Sequence, residues 1–323
     1  MSKSIQSIVL QSAPLACALL FAVGCTSVNK DAASKLADQG ASVAKTIGQS
    51  YQSTDQNIDR YVAGEFLLSG LKPGYSPPSG AMLKSIDTVK EELLLRQQML
   101  AGLGEVYTSF GALCTYDAKG EVEKSLGNTV QAGNNLAALL GGGAISDSAG
   151  KLFATAGGAV AGQVQSARIK DASAKIRSLL QGIVFLLQKT NEQAAVVAVR
   201  EEITRGKLKV AREFWTGDFA LADGIIDEQI QAYGLTPNAS ALSHASQNPG
   251  LRDGISAVLA WRQKQEGDSQ VAAYNAAIQS LRTLINEHAK IEAGEPVNLV
   301  AIQGYTATVQ QYVDLITAVK KGK

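Results

Sequence analysis

Proline draws the first boundary in this chain. Beyond Pro14 it carries proline only at positions 73, 77, 78, 237, 249 and 296, so residues 79–236 contain none. A proline inside a helix deletes a backbone hydrogen bond and clashes with the preceding turn, at about 3 kcal/mol or more. A run this long without one is free to form very long helices. The stretches SGLKPGYSPPSG (69–80), GLTPNASALSHASQNPG (234–250) and AGEPVN (293–298) read as the loops that end them. Alternation of β-branched and polar residues, the mark of a half-buried strand, is missing between these loops.

Helical periodicity supplies the positive signal. Ile302, Tyr305, Val309, Tyr312, Ile316 and Val319 follow 3–4 spacing, and Tyr274, Ile278, Leu281, Ile285 and His288 do the same one helix earlier. Ile86, Val89, Leu93, Leu100, Leu103, Tyr107 and Phe110 form a third stripe, broken only by Arg96. A fourth runs Ile176, Leu180, Ile183, Leu187, Ala194 and Val197, broken at Thr190. One apolar stripe per helix, with polar residues opposite, is how helices pack into a bundle. The spacing predicts an all-α fold: an elongated antiparallel helical bundle of about six helices.

The N-terminus carries an address. Lys3 is the only charged residue before Lys30, and residues 8–24 read IVLQSAPLACALLFAVG. That run is short, contains Gln11 and Pro14, and ends in small residues, so it reads as an export signal rather than a spanning helix. The junction Ala22-Val23-Gly24-Cys25 resembles the lipobox of bacterial lipoproteins, with Ala22 where that family usually has Leu. The resemblance implies cleavage before Cys25, lipid on Cys25 and, with Thr26 next, delivery to the outer membrane facing the periplasm. The expected organisation is a signal peptide over 1–24, a lipid-anchored tether over 25–45 that enters the first helix, and a single helical-bundle domain over 46–323. Several acyl chains anchor a protein stably where one does not.

Charge and cysteine use fit that address. The chain has 30 basic and 29 acidic residues, and loss of the leader removes Lys3 and no acid. A balanced chain has no electrostatic case for nucleic acid. Cys17 lies in the leader and Cys25 is the expected anchor, leaving Cys114 without a partner for an internal disulfide. Cys114 extends the 86–110 stripe and is expected as a buried, inert thiol.

The segment from Ser125 to Ala167 has only Asp147 and Lys151 as charges. A phosphate-binding loop fails there, because Gly150-Lys151 has Ile145 and Leu152 where a Walker loop needs Gly and Ser or Thr. Ala138, Gly142, Ser146, Gly150, Ala154, Gly158, Gly162 and Ser166 are all small and fall every four residues. In a helix they would line one face, drifting about 40° per step, and would admit a neighbouring backbone closely. The stretch resembles, over some thirty residues, the glycine-zipper segments of outer-membrane lipoproteins. The triplet Gly141-Gly142-Gly143 opposes helix at roughly 1 kcal/mol per glycine, so a loosened turn is expected over 141–149, with helix resuming near Gly150. The predicted contact face is Gly150, Ala154, Gly158 and Gly162. The alternative is an apolar hairpin, 130–145 and 152–167 joined by SDSAGK, which resembles the inserting heads of α-helical pore-forming toxins. Asn134, Asn135, Gln163 and Gln165 and the shortness of each arm weigh against it.

Catalytic and metal chemistry is hard to assemble from this inventory. The histidines are His244, in the polar 234–250 loop, and His288, at a core-spaced position. Neither has convergent ligands for zinc or partners for a nucleophile triad. Ser146-Asp147-Ser148-Ala149-Gly150 only loosely resembles a nucleophile elbow and lacks the strand. Glu91-Glu92 and Glu201-Glu202 have basic neighbours about four residues away and read as solvated helix faces. No catalytic residue, metal site or cofactor is predicted. Trp215 and Trp261 flank the 234–250 loop and are the candidates for a shared recognition surface. The partners implied are the membrane, through the lipid, and a protein of the envelope, with self-association left open. The reading is a structural or interaction protein, with the insertable hairpin as alternative.

Overall fold

The computed structural model describes residues 28–141, 143–216, 223–234, 236 and 249–318. Among them the chain is all-α, with nine helices packed antiparallel and no strand. They are α1 Lys30–Leu71, α2 Gly80–Thr115, α3 Lys119–Gly141, α4 Gly143–Phe153, α5 Gln165–Leu187, α6 Ala194–Thr216, α7 Asp223–Ala232, α8 Pro249–Ala293 and α9 Val300–Ala318. Nine exceeds the expected six. One division falls at Gly141, whose φ is +148°, at the start of the 141–149 segment where a loosened turn is expected.

Local chemistry starts and stops these helices where the sequence suggests. Asn29 caps α1 by accepting a hydrogen bond from the Ala32 backbone N–H at 3.1 Å, and Ser79 caps α2 through Met82 N–H at 3.2 Å. Such caps satisfy donors that the first turn leaves orphaned. α1 ends where Lys72 turns extended ahead of Pro73, as a residue preceding proline tends to. The tether expected over 25–45 is already helical from Lys30, and Ala33, Leu36, Ala37, Val43 and Ala44 are buried.

α1 and α2 form the longest seam, and α3, α5, α8 and α9 close around it. The stripes of α2 and α9 face inward as read, with Val319 outside the described residues. The fourth stripe holds only to Leu187. The chain leaves helix there, and when it resumes in α6, Val196 and Val199 point inward while Ala194 and Val197 are exposed.

Glycine works in this core by admitting rings. A methyl group on Gly40 of α1 would lie 2.2 Å from the Tyr107 ring, and one on Gly206 of α6 would lie 2.3 Å from the Tyr61 ring. Phe153 sits between Gly133 of α3 and Gly182 of α5, where added methyls would come within 2.6 and 2.2 Å of the ring. Real carbon contacts begin near 3.5 Å, so these three aromatics occupy the space that any side chain would need.

The predicted small-residue face does not exist as one. α4 starts at Gly143, earlier than expected, and ends at Phe153. Residues 154–164 are turns and irregular chain. Gly150, Ala154, Gly158 and Gly162 are all exposed, no atom lies within 4 Å of a methyl on Gly150, and Gly162 has a φ of +118°. The residues that pack from this stretch are Ala149, Phe153, Ala156 and Val160. Glycines 157 and 158 fall where the next turn would form, and each costs helix about 1 kcal/mol. The irregular chain is instead held by side chains: Glu123 accepts from Val160 N–H at 2.6 Å, and Asp171 from Ala161 N–H at 2.8 Å. Gly142 lies outside the described residues.

Candidate functional site

His288 shows first what the core does with polar groups. It is fully buried on α8, with Tyr107 Oη 3.1 Å from Nε2 and Ser173 Oγ 2.7 Å from Nδ1. Ser173 Oγ also lies 3.1 Å from the carbonyl oxygen of His288. One arrangement satisfies every group. Nδ1–H donates to Ser173, the serine hydroxyl donates to the His288 carbonyl, and the Tyr107 hydroxyl donates to Nε2. A neutral ring is required, and burial, with the nearby Arg177 guanidinium, holds the His288 pKa down at about 3. The serine and both ring nitrogens are thereby occupied, so this trio braces α2, α5 and α8 and offers no free group to a substrate.

That bracing makes the fold acid-sensitive. A histidine with an unfolded pKa near 6.5 and a folded pKa near 3 binds its proton first in the unfolded chain. The stabilisation is whole above pH 6.5 and is lost as pH falls toward 3. Between pH 6.5 and 5 the loss from this one group is about 2 kcal/mol, at 1.36 kcal/mol per unit. Urea unfolding at pH 7 and 5 should show it, and His288→Gln should flatten the slope. An equal slope in that variant would remove His288 as the cause.

A second polar cluster is different in kind, because it lines a cavity. The cavity measures about 310 Å³ and lies between α1, α2, α6, α8 and α9. Its centre is Glu92 on α2, which is buried and accepts from Arg96 Nη2 at 2.7 Å through one oxygen and from Arg200 Nη2 of α6 through the other. Arg96 is buried as well. It lies over the Tyr51 ring, with its guanidinium carbon 5.5 Å from the centroid, and reaches the carbonyl oxygens of Leu187 and Lys189. Those carbonyls are left over where α5 ends, and a cation there also meets the negative end of the helix dipole. The α2 stripe breaks at Arg96 because this side chain closes α5.

Farther out, Lys207 spans both oxygens of Glu266 at 2.9 and 2.8 Å. Ile58, Val89, Leu93 and Ile203 supply an apolar wall. Two buried guanidinium atoms, Arg96 Nε and Arg200 Nε, have no hydrogen-bond partner among the described residues. Both residues line this cavity, as does Tyr61. Burial, then the Glu65 and Glu202 carboxylates, hold the Tyr61 phenol above its ordinary range, so it keeps its proton.

The residues singled out from sequence do not converge on this site. Cys25, His244 and most of the 234–250 loop lie outside the described residues. Trp215 is buried against Ile255, with Leu251 and Leu259 beside it, whereas Trp261 is 58% exposed on α8. A buried ring cannot anchor a partner, so the two tryptophans do not form one recognition surface. Cys114 is buried, and burial pushes its thiol up to about 11. Glu91 is exposed as read, but Glu92 is buried and paired on both oxygens, not solvated. The signal that could have found the cavity was the arginine in an apolar stripe, four residues after a glutamate. A charge at a core position implies a buried partner. Nothing in the sequence near position 96 points to Arg200.

Among the described residues, no group of three or more His, Cys, Asp and Glu could hold a metal ion. No helix of the described residues is long and apolar enough to cross a membrane. No family model matches the chain, and neither a curated protein nor a solved structure does.

Proposed function

We propose that this chain is an exported interaction protein, lipid-anchored to the outer membrane through Cys25 and facing the periplasm, where it binds rather than transforms its partner. The observation that carries the reading is Ala22-Val23-Gly24-Cys25 at the end of the apolar run 8–24. The helical body begins at Lys30, so a lipid on Cys25 would hold the first helix next to the bilayer. Acyl chains stabilise such attachment by about 0.8 kcal/mol per buried CH₂. The balanced charge suits a protein partner in the envelope better than a polyanion.

The insertable hairpin is the less supported reading. Leu136, Leu140, Ala149, Phe153 and Val160 from 130–167 are buried in the main core, so insertion would first have to extract them.

Cys25→Ser tests the anchor. The variant should take up no labelled fatty acid and should leave the membrane fraction for the soluble one. Fatty-acid label on the Cys25→Ser protein would overturn the reading.

A further inference from the structure

We propose that the cavity around Glu92 is a binding site for a small amphipathic carboxylate. This goes beyond the anchor and does not depend on it. Arg96, Arg200 and Lys207 bring three positive charges to the lining, and Glu92 and Glu266 bring two negative ones. Lys207 and Glu266 neutralise each other, so Arg96 and Arg200 share the single charge of Glu92 and leave an excess of one positive charge. Two further carboxylates lie outside the lining at the Tyr61 end, Glu65, which accepts from Tyr75 Oη at 2.8 Å, and Glu202, which faces the Tyr61 hydroxyl and lies 3.9 Å from Lys209 Nζ, so the positive excess belongs to the Arg96–Arg200 end of the cavity. One excess cation calls for a monoanion. A doubly charged phosphate would leave a net negative charge beside Glu92.

The hydrogen-bond inventory agrees with the charge. The groups without partners are donors, the Nε–H groups of Arg96 and Arg200. Buried donors are almost always satisfied, by protein, water or ligand. An acceptor-only group with two oxygens is their complement, and arginine is the side chain best shaped to receive it. Small rotations of Arg200, whose side chain is 26% exposed, would turn its N–H toward such a guest. The apolar wall of Ile58, Val89, Leu93 and Ile203 would take the rest of the molecule. At about 310 Å³ the cavity stands at the small end of ligand sites, which sets the guest at roughly ten non-hydrogen atoms.

Phenylacetate, phenylacetamide and phenethylammonium share a ring and differ in the head group. Titrated calorimetrically into the full chain, phenylacetate should bind at least tenfold tighter than the amide, and the ammonium compound should not bind. Arg200→Lys keeps the charge but removes Nε–H, and should weaken phenylacetate about tenfold. Thr204→Trp, at an exposed position on the cavity lining, should abolish binding with the helical circular dichroism unchanged. Should Arg200→Lys fold poorly, the three compounds and Thr204→Trp still decide. Failure of phenylacetate to bind, equal affinity for acid and amide, preference for the ammonium compound, or binding that survives Thr204→Trp would each overturn the proposal.

Discussion

Replacing Gly182 with alanine should destabilise the folded chain by about 2–4 kcal/mol, although alanine is the better helix former. The new methyl would lie 2.2 to 2.8 Å from three atoms of the Phe153 ring. The ring cannot retreat, because Gly133 of α3 meets its other side and a methyl there would also lie within 2.7 Å. Overpacking of this kind costs typically 1–3 kcal/mol. Expelling the ring altogether approaches the 3–5 kcal/mol of a Phe→Ala deletion. The gain in propensity returns at most about 1 kcal/mol. Gly127→Ala is the control. It lies on α3, is exposed, and has no atom within 4 Å of the added methyl, so it should stabilise by up to about 1 kcal/mol. Urea unfolding followed by far-UV circular dichroism compares the two. Similar midpoints for both would mean that the ring is not held as described. The same protein distinguishes the two functional readings, since expelling Phe153 loosens α4 from the bundle. An interaction protein should gain no affinity for liposomes, whereas a protein with an insertable 130–167 hairpin should co-sediment with them more strongly.

Arg96→Ala should cost about 3–5 kcal/mol, the usual result of breaking a buried ion pair from one side. Glu92 would keep only Arg200, the Lys189 carbonyl just past α5 would lose its Arg96 donor, and the Leu187 carbonyl would keep only the Tyr274 hydroxyl at 3.5 Å. A buried pair contributes little net stability compared with an apolar replacement, because both charges were desolvated to make it. Changing both residues, Glu92→Leu with Arg96→Leu, should therefore cost less than Arg96→Ala alone, since Arg200 is partly exposed and can turn toward water. Denaturant midpoints of the two proteins check the order. A loss below about 1 kcal/mol for Arg96→Ala would mean that water reaches and satisfies the cluster.

What could be read in advance follows from how far each contact reaches along the chain. The stripes of α2 and α9 are local, since one helix face repeats every three or four residues. They were legible, down to the buried Cys114 that extends the α2 stripe, as was the core-spaced His288 of α8. The glycines were legible as packing residues but misplaced. Spacing suggested Gly158 against a neighbouring backbone, while Phe153 is received by Gly133 and Gly182, which lie 20 and 29 positions away. No local pattern encodes a ring inserted into glycines on two other helices. The turn after Phe153 was missed for a related reason. A repeat of small residues marks a possible face, yet the helix must exist first, and Gly157-Gly158 works against it. The cavity was half visible. Glu92 and Arg96 are spaced as any solvated i,i+4 pair, and only the apolar residues around Arg96 said otherwise. Arg200, 108 residues beyond Glu92, enters through the packing of α6 on α2.

The 42 residues of α1 also set a distance. At 1.5 Å per residue the helix is about 63 Å long. Thr54 and Tyr61, where it borders the cavity, lie about 36 and 47 Å from its first turn. With a lipid on Cys25 and α1 upright, the cavity would stand off from the headgroups by more than the thickness of the hydrocarbon layer beneath, about 30 Å. A guest would then be sampled from the water between the membranes and not from molecules dissolved in the leaflet. The long first helix would serve as a ruler that fixes the depth at which the protein fishes.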